Sequence, residues 1–310
     1  MSALSGQQYD IAHGELRATV SGLGAALRGF TCKSVPIVWE SPADVLPKGS
    51  SGQVLAPWPN RLADGEYAFD GVRATAALDE PSRHNAIHGL VRWLYWELEY
   101  LERDRIKLHC SLAPQPGYPF QISISILYAL SDRGLEVRTE AEAAGGGAAP
   151  FGVGFHPYFL AASTGLKGSR LVIPSSRHYL LDDRGLPVGV EPLAGELAEL
   201  DSDMGLALDD VRLDDCFAGL RRDGSGNAVV RFFPGEGEVA EVVLCLDENF
   251  DYVMCYTGDT LAAEDQRRAV AIEPMTCAPN ALVSGDGLLR VSETTPFRSV
   301  FSIVPKMTDS

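Results

Sequence analysis

Two titratable side chains stand in unusually constrained settings. His156 lies in Gly152-Val153-Gly154-Phe155-His156-Pro157-Tyr158-Phe159, and Glu273 lies in Ile272-Glu273-Pro274-Met275-Thr276. Each precedes a proline, which restricts the residue before it to extended or turn geometry and brings no N–H of its own. Both are therefore expected on defined backbone beside an irregular edge. An imidazole and a carboxylate held in this way can act as a proton donor and a proton acceptor.

The elements that must position them read as strands. Ile122-Ser123-Ile124-Ser125-Ile126 alternates apolar with polar, the period-two pattern of a strand with one buried face. Similar runs recur at Ile37–Glu40, Ile106–Cys110, Leu135–Arg138, Val229–Phe233, Val239–Leu246 and Phe301–Val304. Turn signals such as Asp64-Gly65, Asp70-Gly71 and Asp223-Gly224 separate them. Helical patterning is sparse, with one candidate turn over Ala262–Arg268 and a looser one over Glu196–Leu208. The small-residue stretch Ala141–Ala149 has the composition of a linker, but strand character continues on both sides, so it reads as a hairpin or crossover. A mainly antiparallel all-β architecture follows, and its 310 residues (1–310) are expected to form a single domain.

Composition narrows the function. A formal charge of −16 disfavours nucleic acid, whose phosphates would be repelled in the absence of a basic stripe. No apolar run approaches the ~18 residues of a membrane-spanning helix. The segment Met1–Leu16 has neither a basic start nor an apolar centre, so the expected location is cytoplasmic. Six cysteines without a C-x-x-C pair read as buried free thiols. His13, His109 and His178 read as structural or exposed, and Lys33, Arg267 and Arg268 as surface charge. The glycines at 145–147 lack the strand, lysine and helix of a phosphate cradle.

Further segments accompany the two opening ones. Pro57-Trp58-Pro59-Asn60-Arg61-Leu62 is followed by Asp64-Gly65-Glu66-Tyr67-Ala68-Phe69-Asp70-Gly71, and Asn85-Ala86-Ile87-His88-Gly89 by Arg92 and Trp96; Leu213-Asp214-Asp215-Cys216-Phe217 lies between His156 and Glu273. His84 and His88 are four apart, but the stretch lacks helical periodicity and a third acidic ligand, so no metal site is expected. The prolines would hold Asn60 and Arg61 stiffly, and a planar guanidinium is a fixed set of donors, although alone Arg61 reads first as a structural ion pair. His88 beside Gly89 permits close approach of backbone and ligand, and Trp93 or Trp96 could offer an apolar ring face to it.

Taken together, and in this order, these segments resemble the aldose 1-epimerase (galactose mutarotase-like) family over most of the chain. The resemblance implies a large antiparallel β-sandwich of the galactose mutarotase type with few short helices. It also implies interconversion of the α and β anomers of a free aldose, with Glu273 as base, His156 as acid, and Arg61, His88, Asp214, Asn60 and Trp96 around the sugar. Proton transfers suffice for that reaction, so no cofactor is expected. The expected partner is a small monosaccharide, with neither nucleic acid nor membrane. For His156, an ordinary pKa near 6.5 would leave much of it neutral, and a neighbouring carboxylate is expected to favour imidazolium. The chain departs from the family's common patterns at Gly89-Leu90, where a double glycine is usual, and at His156-Pro157, where serine or threonine follows the histidine. Pocket-lining groups are therefore expected to differ from those of galactose- or glucose-selective members. Two other readings use some of the same residues: a noncatalytic sugar-binding or regulatory protein retaining Arg61, His88 and Asp214, and a glycoside hydrolase pairing Asp214 with Glu273. The hydrolase leaves His156 and His88 without a role.

Overall fold

Frequent prolines and glycines cut the chain into short antiparallel strands, and long ones form only where alternation is uninterrupted. The structure, a computed structural model, describes residues 3–308. Its largest sheet has nine strands, in the order Glu97–Leu101, Arg105–Leu112, Gln121–Ser131, Gly134–Ala144, Phe297–Met307, Val239–Leu246, Ala228–Phe233, Arg170–Val172 and Leu206–Ala207. Gln121–Ser131 shows why it forms: Ile122, Ile124, Ile126, Tyr128 and Leu130 are all buried on one face. A second sheet runs Pro187–Pro192, Ser175–Leu181, Asp214–Leu220, Tyr252–Tyr256, Ala269–Met275, Gly154–Phe155 and Val54–Leu55. A four-stranded sheet, Gln8–His13 to Val35–Pro36, opens the chain. One connected cluster of buried apolar side chains reaches from Ile11 to Ile303. Burial of this kind is the main favourable contribution to folding, about 25 cal/mol per Å² of apolar surface removed from water.

The all-β expectation is met, and most sequence-predicted strands lie within observed ones. Local differences have physical reasons. Ile37–Glu40 forms no strand, and Val38 makes only an isolated bridge with Phe159. Ala262–Arg268 is a set of turns, because Arg267 takes a left-handed φ of 52° that a helix cannot continue through. In place of the looser helix expected over Glu196–Leu208 there is a 3-10 segment, Gly195–Asp201. The stretch 141–149 completes the strand Gly134–Ala144, turns at the glycines, and enters Ala149–Phe151. Cys32, Cys110, Cys216, Cys255 and Cys277 are buried free thiols, and Cys245 is half-buried. Among the described residues, no helix is long and apolar enough to cross a membrane.

Candidate active site

The strand Ala269–Met275 is buried at every position, and Glu273 sits in it, 2% exposed. Met254 of Tyr252–Tyr256 is its register partner on one side. On the other side the pairing strand is broken: Gly154 pairs with Met275, and Tyr158 with Ala271. His156-Pro157 occupies the break. Proline has no N–H for a ladder, so the interruption falls there. The backbone of His156 is instead fixed by the segment 52–53, its N–H donating to the Gln53 carbonyl and its carbonyl accepting from Gly52. The sequence rule that singled out both residues thus sets them face to face, with His156 Nε2 3.3 Å from Glu273 Oε1.

Both side chains line a cavity of about 460 Å³, within the range of small-molecule sites. Burial pushes the Glu273 carboxyl well above its ordinary range, an effect the Asp214 carboxylate reinforces and Arg61 opposes. Burial also lowers His156 to about 3, with the Arg92 guanidinium acting in the same direction. This departs from the expectation of an imidazolium: desolvation outweighs the backbone hydrogen bond that acts in the opposite direction. Both shifts favour the neutral forms, imidazole and protonated carboxyl, which together carry one titratable proton. Glu273 Oε2 is buried, with no hydrogen-bond partner among the described residues. A buried acceptor in that condition is costly unless a ligand hydroxyl satisfies it.

The other predicted residues divide. His88, in a left-handed conformation (φ 63°), lines the cavity edge-on to His156, the ring centroids 5.4 Å apart. Its Nδ1 accepts from the Asn60 N–H at 3.3 Å, which leaves Nε2 as the protonated nitrogen. Burial pushes its pKa well below the ordinary histidine value, and the Arg92 and Arg61 guanidiniums act in the same direction. Asn60 also lines the cavity, and its Oδ1 accepts from the Arg61 N–H at 2.8 Å. Arg61 is both things the sequence suggested: it lines the cavity and is paired, its Nε donating to Glu80 Oε2 at 3.0 Å. Asp214 stands at the rim, its side chain 44% exposed and 3.9 Å from Arg83.

Trp96 is a correction. It lies in the core at 4% exposure, its indole N–H on the Val91 carbonyl, and it does not line the cavity. Trp93 is exposed and carries the Arg92 guanidinium over its ring. The aromatic walls are instead Tyr158, stacked on His156 at 5.0 Å, and Tyr256. Sequence reasoning also gave no role to Arg92, whose guanidinium is held by Asp79 at 2.6 Å and by Ser50 at 3.0 Å. A signal existed, because Arg92 and Tyr158 stand inside the motifs that supplied His88 and His156. Asp79 and Glu80 stand in no motif. Arg267, read as surface charge, ties down a loop by donating to the carbonyls of Leu208 and Val211 and to Asp259.

The buried pair has a measurable cost in stability. A raised pKa for Glu273 means that the folded state holds this proton more tightly than the unfolded chain. Its contribution is complete below the ordinary glutamate range and is lost as pH rises through the raised value. Glutamine does not titrate, so the melting temperature of Glu273→Gln should gain on that of the wild type as pH rises above about 5. Melting curves from pH 5 to 9 test this, and a constant difference would contradict it.

Comparison with known proteins agrees with this architecture. The family model described as aldose 1-epimerase matches residues 7–302. The Escherichia coli (strain K12) protein YihR is 31% identical over 302 residues, covering 96% of this chain and 93% of that protein. Among solved structures, a galactose mutarotase-like protein from Clostridium acetobutylicum superposes with a TM-score of 0.82 at 17% identity, over 96% of this chain and 95% of that one. The GalM/aldose epimerase homologue from C. elegans gives 0.82 at 17% identity, over 98% and 99%. The fold is thus that of the galactose mutarotase-like proteins. With the family model spanning nearly its whole length, the chain belongs to the aldose 1-epimerase family.

Proposed function

We propose that this protein is an aldose 1-epimerase, exchanging the α and β anomers of a free aldose by acid/base-catalysed ring opening and closure. The observation that carries this reading is the contact of His156 and Glu273 inside one cavity, with Glu273 Oε2 left without a partner among the described residues. Transfer of the shared proton across the 3.3 Å contact converts the neutral pair into imidazolium and carboxylate. Glu273 then takes the proton of the anomeric hydroxyl, and His156 gives one to the ring oxygen. The bond between C1 and the ring oxygen breaks, leaving an open-chain aldehyde. Rotation about C1–C2 presents the other carbonyl face, and the reverse transfers close the ring as the other anomer. The pair ends with the one proton it began with, so nothing is consumed.

The surrounding groups hold the sugar. His88 offers an Nε2–H to an oxygen, Arg61 and Arg92 offer guanidinium donors, and Asp214 accepts a hydroxyl at the rim. Tyr158 and Tyr256 supply ring surface of the kind that packs on the C–H faces of a pyranose.

The pH dependence follows from the proton count. The working form carries one proton on the pair, so it persists between the depressed His156 value, about 3, and the raised Glu273 value. kcat/KM, corrected for spontaneous exchange and measured by polarimetry, should show no acid limb near 6.5, the ordinary histidine value. It should fall on the alkaline side, above the ordinary carboxylate range. An acid limb near 6.5 would contradict the buried-pair mechanism.

A further inference from the structure

The cavity does not end at its rim. Arg83 and Asp214 also line a second cavity of about 440 Å³, whose remaining wall includes Leu181 and Asp183. The two spaces therefore meet across one pair of side chains. Arg83 Nη1 and Asp214 Oδ2 stand 3.9 Å apart, beyond hydrogen-bond length, and both side chains are more than a third exposed. A ligand can come between them at little cost.

Size makes the second space informative. A hexose displaces roughly the liquid volume of six waters, about 180 Å³. The inner cavity, about 460 Å³, already exceeds that. A monosaccharide therefore leaves the outer space unused.

The outer wall is built in place. Asp182 Oδ1 accepts from the N–H groups of Arg184 and Leu186, both at 2.9 Å, closing the turn between the strands Ser175–Leu181 and Pro187–Pro192. Arg184 donates to the carbonyls of Arg83 at 2.9 Å and His84 at 2.7 Å, and Asn85 donates back to the Arg184 carbonyl at 2.9 Å. Gly185 rests directly on the guanidinium of Arg61, where an added Cβ would come within 2.5 Å of Nη1. The turn that walls the outer cavity is thus fixed against a side chain of the inner one, so its ordering cost is met before a ligand arrives. Carboxylates at 182, 183, 214 and 215, a single guanidinium, the Tyr179 ring and leucine surface line this space. Hydroxyl-rich groups with C–H faces match such a lining, whereas a long apolar chain does not.

We propose that the substrate is a reducing oligosaccharide. Its reducing-end aldose occupies the inner cavity with C1 at His156 and Glu273, and its second sugar unit crosses the Arg83–Asp214 pair into the outer cavity. Only the bond between C1 and the ring oxygen of the reducing-end unit breaks, and the glycosidic link is untouched. The inference rests on the mutarotase reading above and adds its substrate class.

The test measures anomer exchange for glucose, galactose and mannose, and for reducing disaccharides built on each through different linkages, with wild type and Asp183→Trp. Asp183 is an exposed turn residue, so the indole fills the outer space without entering the core. At least one disaccharide is expected to have a kcat/KM about tenfold above that of its own reducing-end monosaccharide, since binding remote from the reacting carbon can lower the barrier there. Asp183→Trp should reduce that ratio about tenfold. Monosaccharide exchange with no disaccharide advantage, or an advantage that survives Asp183→Trp, overturns this inference and leaves the mutarotase reading standing. Absence of accelerated exchange for every sugar overturns both.

Discussion

Glu273→Gln lowers kcat for anomer exchange by about 10²–10⁴-fold, the usual contribution of a positioned acid or base, with sugar affinity changed only a few-fold. The amide preserves shape and keeps an acceptor, so the pocket still holds the ring; what it loses is the capacity to take the anomeric proton. Because the wild-type carboxyl is buried and raised in pKa, the variant also folds without an ionisable group in the strand Ala269–Met275. Loss of activity with equal or greater stability distinguishes a chemical defect from a structural one. His156→Asn should lose a similar factor, and the double variant should lose little beyond either single one, because one proton serves both groups. Steady-state polarimetry with sugar titration calorimetry on the same preparations measures both quantities. Retention of more than about a tenth of wild-type kcat in Glu273→Gln would exclude this carboxylate as the base.

The second large effect is on the backbone that presents His88. Gly89→Ala introduces a Cβ that would lie 2.1 Å from the Ala56 carbonyl oxygen and 2.4 Å from its carbon. No flexible side chain stands there to give way. Gly89 also has a φ of 67°, a conformation that costs an L-residue about 1–2 kcal/mol. Overpacking adds about 1–3 kcal/mol, so a total loss of about 2–5 kcal/mol is expected. Leu90 and Val91 both donate to the Ala56 carbonyl, so relief of the clash must pull on the loop carrying His88. Stability and kcat/KM should therefore fall together, in contrast to Glu273→Gln. Urea unfolding measures the first, and a loss below about 1 kcal/mol would show that the loop moves freely and does not fix His88.

The contrast between these two variants reflects what a sequence can disclose. His156 and Glu273 were legible because their constraint is local: a proline after each residue decides the geometry whatever the remainder of the chain does. Strands such as Gln121–Ser131 were legible because alternation of buried and exposed faces is written residue by residue. Arg61 was half legible, since its prolines imply rigidity but its partner, Glu80, reaches it only through tertiary packing. Trp96 failed for the same reason in reverse: an aperiodic stretch does not disclose which way a ring points, and here it points into the core. Asp214 was marked by family resemblance alone, and the exposed rim position it occupies has no local signature. The shift of His156 to about 3 was hidden because desolvation depends on everything packed around the ring, while its carboxylate neighbour was the one influence the sequence suggested.

Two-dimensional exchange NMR on an aldose at anomeric equilibrium shows whether His156 and Glu273 exchange anomers. Cross-peaks between the α and β anomeric protons should appear with wild-type protein at micromolar concentration, on a timescale where buffer alone shows none. They should disappear with Glu273→Gln at the same concentration. Sugar binding detected by line broadening without α–β cross-peaks, across a panel of common aldoses and reducing disaccharides, would rule out an epimerase and identify a sugar-binding protein.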